Sequence, residues 1–149
     1  MPAGRVHTKH TIVASVIILC WAPIDVRTSI LASIGCLSGV LLSPDLDVDN
    51  GNISMYFLRR VHPLLSWTWK KYWLPYARLI KHRSRISHLP ILSTVIRLLY
   101  IVPAIYFVVF ISSELGLKFS TNLDIISLLS FFLGLAVSDS IHWLADQIF

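Results

Sequence analysis

Charge is what this sequence has least of. Only 14% of its 149 residues are charged, where soluble domains run near about a quarter, so the composition argues against an ordinary soluble domain. Acidic side chains are the scarcest, eight against thirteen lysines and arginines, for a formal net charge of +5. Two cysteines, Cys20 and Cys36, are too few for a disulfide framework or a zinc finger. Both lie in apolar runs, where buried free thiols are expected. No internal repeat and no low-complexity tract is present. At this length one compact domain, 1–149, is the natural count.

What is abundant is apolar: 55% of residues are hydrophobic and the mean hydropathy is +0.69. Four apolar segments emerge, roughly 11–22, 28–42, 91–113 and 125–137. The third reaches the roughly 20 residues needed to cross a 30 Å hydrocarbon core. The others are shorter and cover only about 20 Å at 1.5 Å per residue. Pro23-Ile24-Asp25 reads as a tight turn, and 114–124 as a second, so neighbouring segments run antiparallel. Pro23, directly after Cys-Trp-Ala, argues against signal cleavage, and Leu19 before Cys20 does not suit a lipobox. The expectation is an all-α integral membrane four-helix bundle, its last helix continuing to about residue 147.

Between the second and third segments, 43–90 reads as a polar interfacial loop. It carries Arg59, Arg60, Lys70, Lys71, Arg78, Lys81, Arg83 and Arg85 among Trp67, Trp69, Tyr72, Trp73 and Tyr76. Aromatic rings at headgroup level with cations beside them suit the lipid bilayer and its anionic headgroups. Single-stranded nucleic acid is bound by the same residue types. Apolar segments on both sides favour lipid, so no nucleic acid is expected. Arg5, Lys9 and the loop share one side, against Arg27 and Lys118 on the other. The positive-inside rule therefore places both termini and the loop on the cytoplasmic face of an inner or plasma membrane.

The unusual polar residues collect on that face. His7 and His10 precede the first segment, and Asp45, Asp47 and Asp49 follow the second. In an extended stretch after Pro44, alternate carboxylates would point the same way. His82 and His88 precede the third segment, with Pro90 suited to a first helical turn. Asp139, His142 and Asp146 end the fourth, within roughly 60° of one another on a helix. Singly, each is as readily a surface histidine, a turn residue or a wet helix end. Together, four segments deliver histidines and aspartates to one end of a bundle. Carboxylates at that density repel unless cations intervene, and mixed His/Asp donors suit Zn²⁺, Mn²⁺ or Fe²⁺. The donors exceed what one tetrahedral ion needs, so two or more divalent ions are expected.

Gly4-Arg5-Val6-His7, Ser43-Pro44-Asp45-Leu46-Asp47, Trp73-Leu74-Pro75-Tyr76 leading into His82-Arg83-Ser84 and Ser87-His88, and Asp139-Ser140-Ile141-His142 with Asp146 resemble the uncharacterised metal-binding membrane proteins of domain of unknown function 2227. Nearly the whole chain takes part. That family is more distantly similar to LexA-regulated inner-membrane metal-dependent hydrolases, and through them to zinc-dependent phospholipase C and single-strand nucleases. The resemblance implies a metal cluster for phosphoester hydrolysis at His7, Asp45, Asp47, His82, His88, Asp139, His142 and Asp146. Where the family pattern commonly has Asp after its first histidine, this chain has Thr8, and His10 is the candidate replacement. The expected activity is hydrolysis of a phosphoester, a phospholipid among the candidates. Arg83 or Arg85 would clamp the phosphate, and Asp49 would assist as acid, base or supporting partner. A metal sensor or store would share every ligand without the catalysis.

Overall fold

Helix caps divide the chain. In a computed structural model, residues 4–20, 25–48, 52–80, 84, 89–117 and 124–148 are described. Helix α1 spans Gly4–Cys20 and α2 Val26–Ser38. The Asp25 carboxylate starts α2 by accepting the N–H groups of Arg27 and Thr28. A 3-10 turn covers Pro44–Asp47. Helix α3, Ile53–Val61, begins where Asn52 accepts the Met55 N–H. Helix α4, Pro63–Leu79, begins at His62, whose Nδ1 accepts the Leu64 N–H. Helix α5 is Pro90–Glu114, with proline at its first turn as the sequence predicts. Helix α6 is Ile125–Ile148, and Asp124 accepts the Ser127 N–H at its start. Among the described residues there is no strand, and the fold is all-α.

Most described residues of 43–90 are helical and not looped: they form the 3-10 turn and a helical hairpin, α3 with α4. Ser66 Oγ donates to the Met55 carbonyl at 3.0 Å and Trp69 Nε1 to Ser54 Oγ at 3.2 Å. Apolar positions interleaved with cations hide such helices from a search for apolar runs. The aromatic belt also needs correcting. Trp67 is exposed, but Trp73 and Tyr76 are 1% and 2% exposed and join Leu42, Leu46 and Leu135 in the core. Two tyrosines fasten this hairpin to α5 reciprocally. Tyr72 Oη donates to the Tyr100 carbonyl at 2.5 Å, and Tyr100 Oη to the Tyr72 carbonyl at 2.8 Å.

Helices α2 and α6 run parallel, backbone against backbone. A Cβ on Gly134 would lie 1.9 Å from the Ala32 carbonyl oxygen, and one on Gly35 2.1 Å from that of Phe131. One on Gly39 would meet Ser138 Oγ at 2.1 Å. Gly35-x-x-x-Gly39 thus faces Gly134-x-x-x-Ser138, the small-residue spacing that lets two helices touch. Helix α1 lies antiparallel beside them, with Ser33 Oγ donating to the Ser15 carbonyl at 2.8 Å and Thr11 Oγ1 3.2 Å from Ser138 Oγ. The start of α1, the end of α2, the start of α5 and the end of α6 therefore share one end of the molecule. At the other end Arg27 pairs with Asp124 at 3.1 Å. By length and composition two helices, α5 and α6, could cross a membrane; α1 and α2 are apolar but shorter.

Candidate metal centre

His7 and His142 stack at the polar end, ring centroids 4.1 Å apart and 20° from parallel. Both are nearly buried, at 8% and 5% exposure. One turn along α6, the half-buried Asp146 reaches both: Oδ1 is 3.4 Å from His7 Nε2 and Oδ2 is 3.4 Å from His142 Nε2. From the 3-10 turn, Asp45 Oδ1 lies 3.4 Å from His142 Nε2. Ligand atoms of His7, His142 and Asp146 all fall within 4.8 Å of one another.

The pairwise 3.4 Å contacts match donors at 2.0–2.2 Å from a tetrahedral ion, which stand about 3.3–3.6 Å apart, whereas a charge-assisted nitrogen–oxygen hydrogen bond closes to about 2.7–2.9 Å. The trio as a whole is looser, within 4.8 Å. His7 Nδ1 is buried with no hydrogen-bond partner among the described residues. Burial, and then the neighbouring His142 ring, pushes the His7 imidazole below its ordinary value. That favours the neutral form, the one with a lone pair to give. A narrow cleft opens beside the pair, lined among others by Thr8, Thr11, Gly39, Ser43 and Asp45.

The remaining expected residues distribute unevenly. Asp45 and Asp47 do not point the same way, because Pro44 opens a 3-10 turn, not an extended strand. At three residues per turn, positions two apart diverge. Asp45 turns to His142, while Asp47 is buried close enough to Tyr76 to help raise its hydroxyl. Burial is the main cause of that rise, to about 12, with Arg97 opposing it. His10, one turn along α1 from His7, is exposed. Asp139 is 1% exposed and bonds to Arg97 and to the Thr94 hydroxyl, so it stands apart from the His7–His142–Asp146 trio. Asp49, His82, Arg83 and His88 lie outside the described residues. The residue that the sequence reading passed over is Arg97. Its signal was a guanidinium alone in a long apolar run, which in a membrane segment points to a buried partner.

Taken together, these are the features of an all-α protein with a His/Asp metal-type cluster at one end of a helix bundle. A family model described as an uncharacterised metal-binding protein, DUF2227, matches residues 2–149. The chain belongs to that family. No curated protein and no solved structure matches it.

Proposed function

We propose that this chain embeds a bundle of α1, α2, α5 and α6 in a membrane, holds a divalent metal ion on His7, His142 and Asp146, with Asp45 beside them, and uses it to hydrolyse a phosphoester. The observation that carries the reading is the 3.4 Å spacing of donors from two helices and a turn, three of these donors also lining a narrow cleft. Zn²⁺ suits this donor set best, with Mn²⁺ or Fe²⁺ as alternatives. A second ion would draw on Asp47 and on Asp49, His82 and His88.

Held by His7, His142 and Asp146, a divalent ion would supply Lewis acidity toward a phosphoryl oxygen and would acidify water. The chain's own groups do the rest. His7 and His142 pack on each other and are both nearly buried, which holds the two rings in place. Asp45, facing the cleft, accepts a proton, and Ser43, whose Oγ has no partner among the described residues, donates toward substrate oxygen. Arg83 remains the candidate phosphate clamp.

Membrane embedding is supported by α5. Tyr106, Phe107 and Val108 are 62–72% exposed on a helix that is almost wholly apolar. A bare apolar surface of that extent supports contact with lipid. In this reading α1 and α2 complete the bundle and the site lies at headgroup level, on the side that the charge asymmetry favours as cytoplasmic, within reach of a lipid phosphate. The second reading, a metal store or sensor without catalysis, shares the ligands and differs in having no substrate.

The test is elemental analysis of detergent-purified protein from alkali-washed membranes, followed by phosphodiester hydrolysis with and without chelator. At least one ion per chain, lost in His142→Ala, together with chelator-sensitive hydrolysis, is the expected result. Metal without hydrolysis selects the store or sensor, and substoichiometric metal in the unaltered protein overturns both.

A further inference from the structure

Arg97 is completely buried and serves three elements at once. Its Nη2 donates to Asp139 Oδ2 on α6, its Nη1 to the Leu42 carbonyl beyond α2, and its Nε to the Ser93 carbonyl one turn back on α5. Thr94, also fully buried, donates its hydroxyl to the same Asp139 oxygen. The two outward attachments share a geometry. Leu42 stands three residues before Asp45, and Asp139 three residues before His142. Asp45 and His142 are the pair that meets at 3.4 Å in the metal centre. One guanidinium therefore grips the two stems just below the two side chains that must converge.

The geometry points to Arg97 and Asp139 as positioning residues: a buried ion pair that sets Asp45 and His142 against each other, with Asp139 serving the arginine rather than the ion. This rests on the metal site proposed above. The sequence stripe Asp139–His142–Asp146 is divided by the fold. Its last two members face His7, while the first faces α5. A buried carboxylate and guanidinium compensate each other, and removing one partner strands the other's charge. Removing both strands no charge, so a loss of metal binding that remains reports the lost grip on the two stems.

The test uses the full chain in detergent, stripped of metal and titrated with Co²⁺, reading both the dissociation constant and the visible absorption bands. Arg97→Met is expected to weaken Co²⁺ binding about 10- to 100-fold, the scale on which supporting partners act, with the bands unmoved. The double variant Arg97→Met/Asp139→Leu, free of any stranded charge but without the grip on either stem, is expected to keep a loss of that order with the same bands; wild-type affinity there would trace the Arg97→Met loss to stranded charge and overturn the proposal. It also covers the case in which Arg97→Met fails to fold. Asp139→Asn, close to isosteric, is a further arm expected to keep the wild-type bands. Shifted or lost bands in the double variant or in Asp139→Asn would make Asp139 a ligand and overturn the proposal. Wild-type affinity in Arg97→Met would overturn it by showing that the pair positions nothing. Failure of the metal site itself looks different: His142→Ala would then bind Co²⁺ as the unaltered chain does.

Discussion

His7 lies face to face with His142, 4.1 Å away, although 135 residues separate them in the chain (142 − 7). Two imidazoles cannot both hold a proton at that distance without repulsion. A bound cation lets both stay neutral and anchored. His7→Ala is expected to lower metal affinity by more than the roughly 10- to 100-fold that a supporting partner costs. His10→Ala, exposed one turn away, is expected to lower it far less. Isothermal titration of the stripped protein with Zn²⁺ separates the two.

The same pair sets a pH dependence. The His7 value is lowered from 6.5, so above pH 6.5 the ring is neutral in both folded and unfolded chains. Below 6.5 the unfolded chain takes up a proton first, and stability of the metal-free protein falls until the pH passes the lowered folded value. His142 shifts the opposite way, so the His7 contribution is read by difference: between pH 7 and pH 5 stripped His7→Gln is expected to lose less stability than the stripped unaltered chain.

Helix α6 approaches α2 too closely for side chains. Gly134→Ala places a methyl group 1.9 Å from the Ala32 carbonyl oxygen, a backbone atom that cannot rotate away. A cost at or above the 1–3 kcal/mol typical of overpacking, about 3 kcal/mol or more, is expected. Gly116 is the contrast, with φ 77° and nothing within 4 Å of an added Cβ. There Gly116→Ala should cost only the left-handed backbone strain, about 1 kcal/mol. Thermal unfolding of the two variants in one detergent ranks them.

Reciprocal tyrosines hold the α3–α4 hairpin to α5. Tyr72→Phe and Tyr100→Phe each remove one hydroxyl donor and are expected to cost about 1 kcal/mol each. Limited proteolysis provides a local readout, with cleavage within 52–80 rising in the double variant before the rest of the chain opens.

Much of the architecture was legible because α5 and α6 are long apolar runs bounded by proline and turn residues. Pro90 and Asp124 mark their starts in sequence and in structure alike. The hairpin was not legible, since α3 and α4 carry Arg59, Arg60, Lys70 and Lys71 within their turns. At the site, delivery of His7, Asp45, His142 and Asp146 to one end followed from counting helices. Two details did not follow. Whether residues two apart share a face depends on strand or 3-10 geometry, which Pro44 decides. Which partner claims Asp139 depends on Arg97, 42 residues earlier (139 − 97), and no local pattern encodes that pairing.

Unequal helices have a consequence for the surrounding lipid. Thirteen residues of α2 span about 20 Å, while the 25 of α5 span about 37 Å. In a bilayer the two sides of this protein demand different hydrocarbon thicknesses. In the proposed membrane embedding, lipid beside α1 and α2 would thin, drawing headgroups and water down toward His7 and Asp45. The long wall of α5 would keep the membrane at full depth opposite. The chain would then carve a shallow, one-sided dimple, with the candidate metal centre opening at its floor.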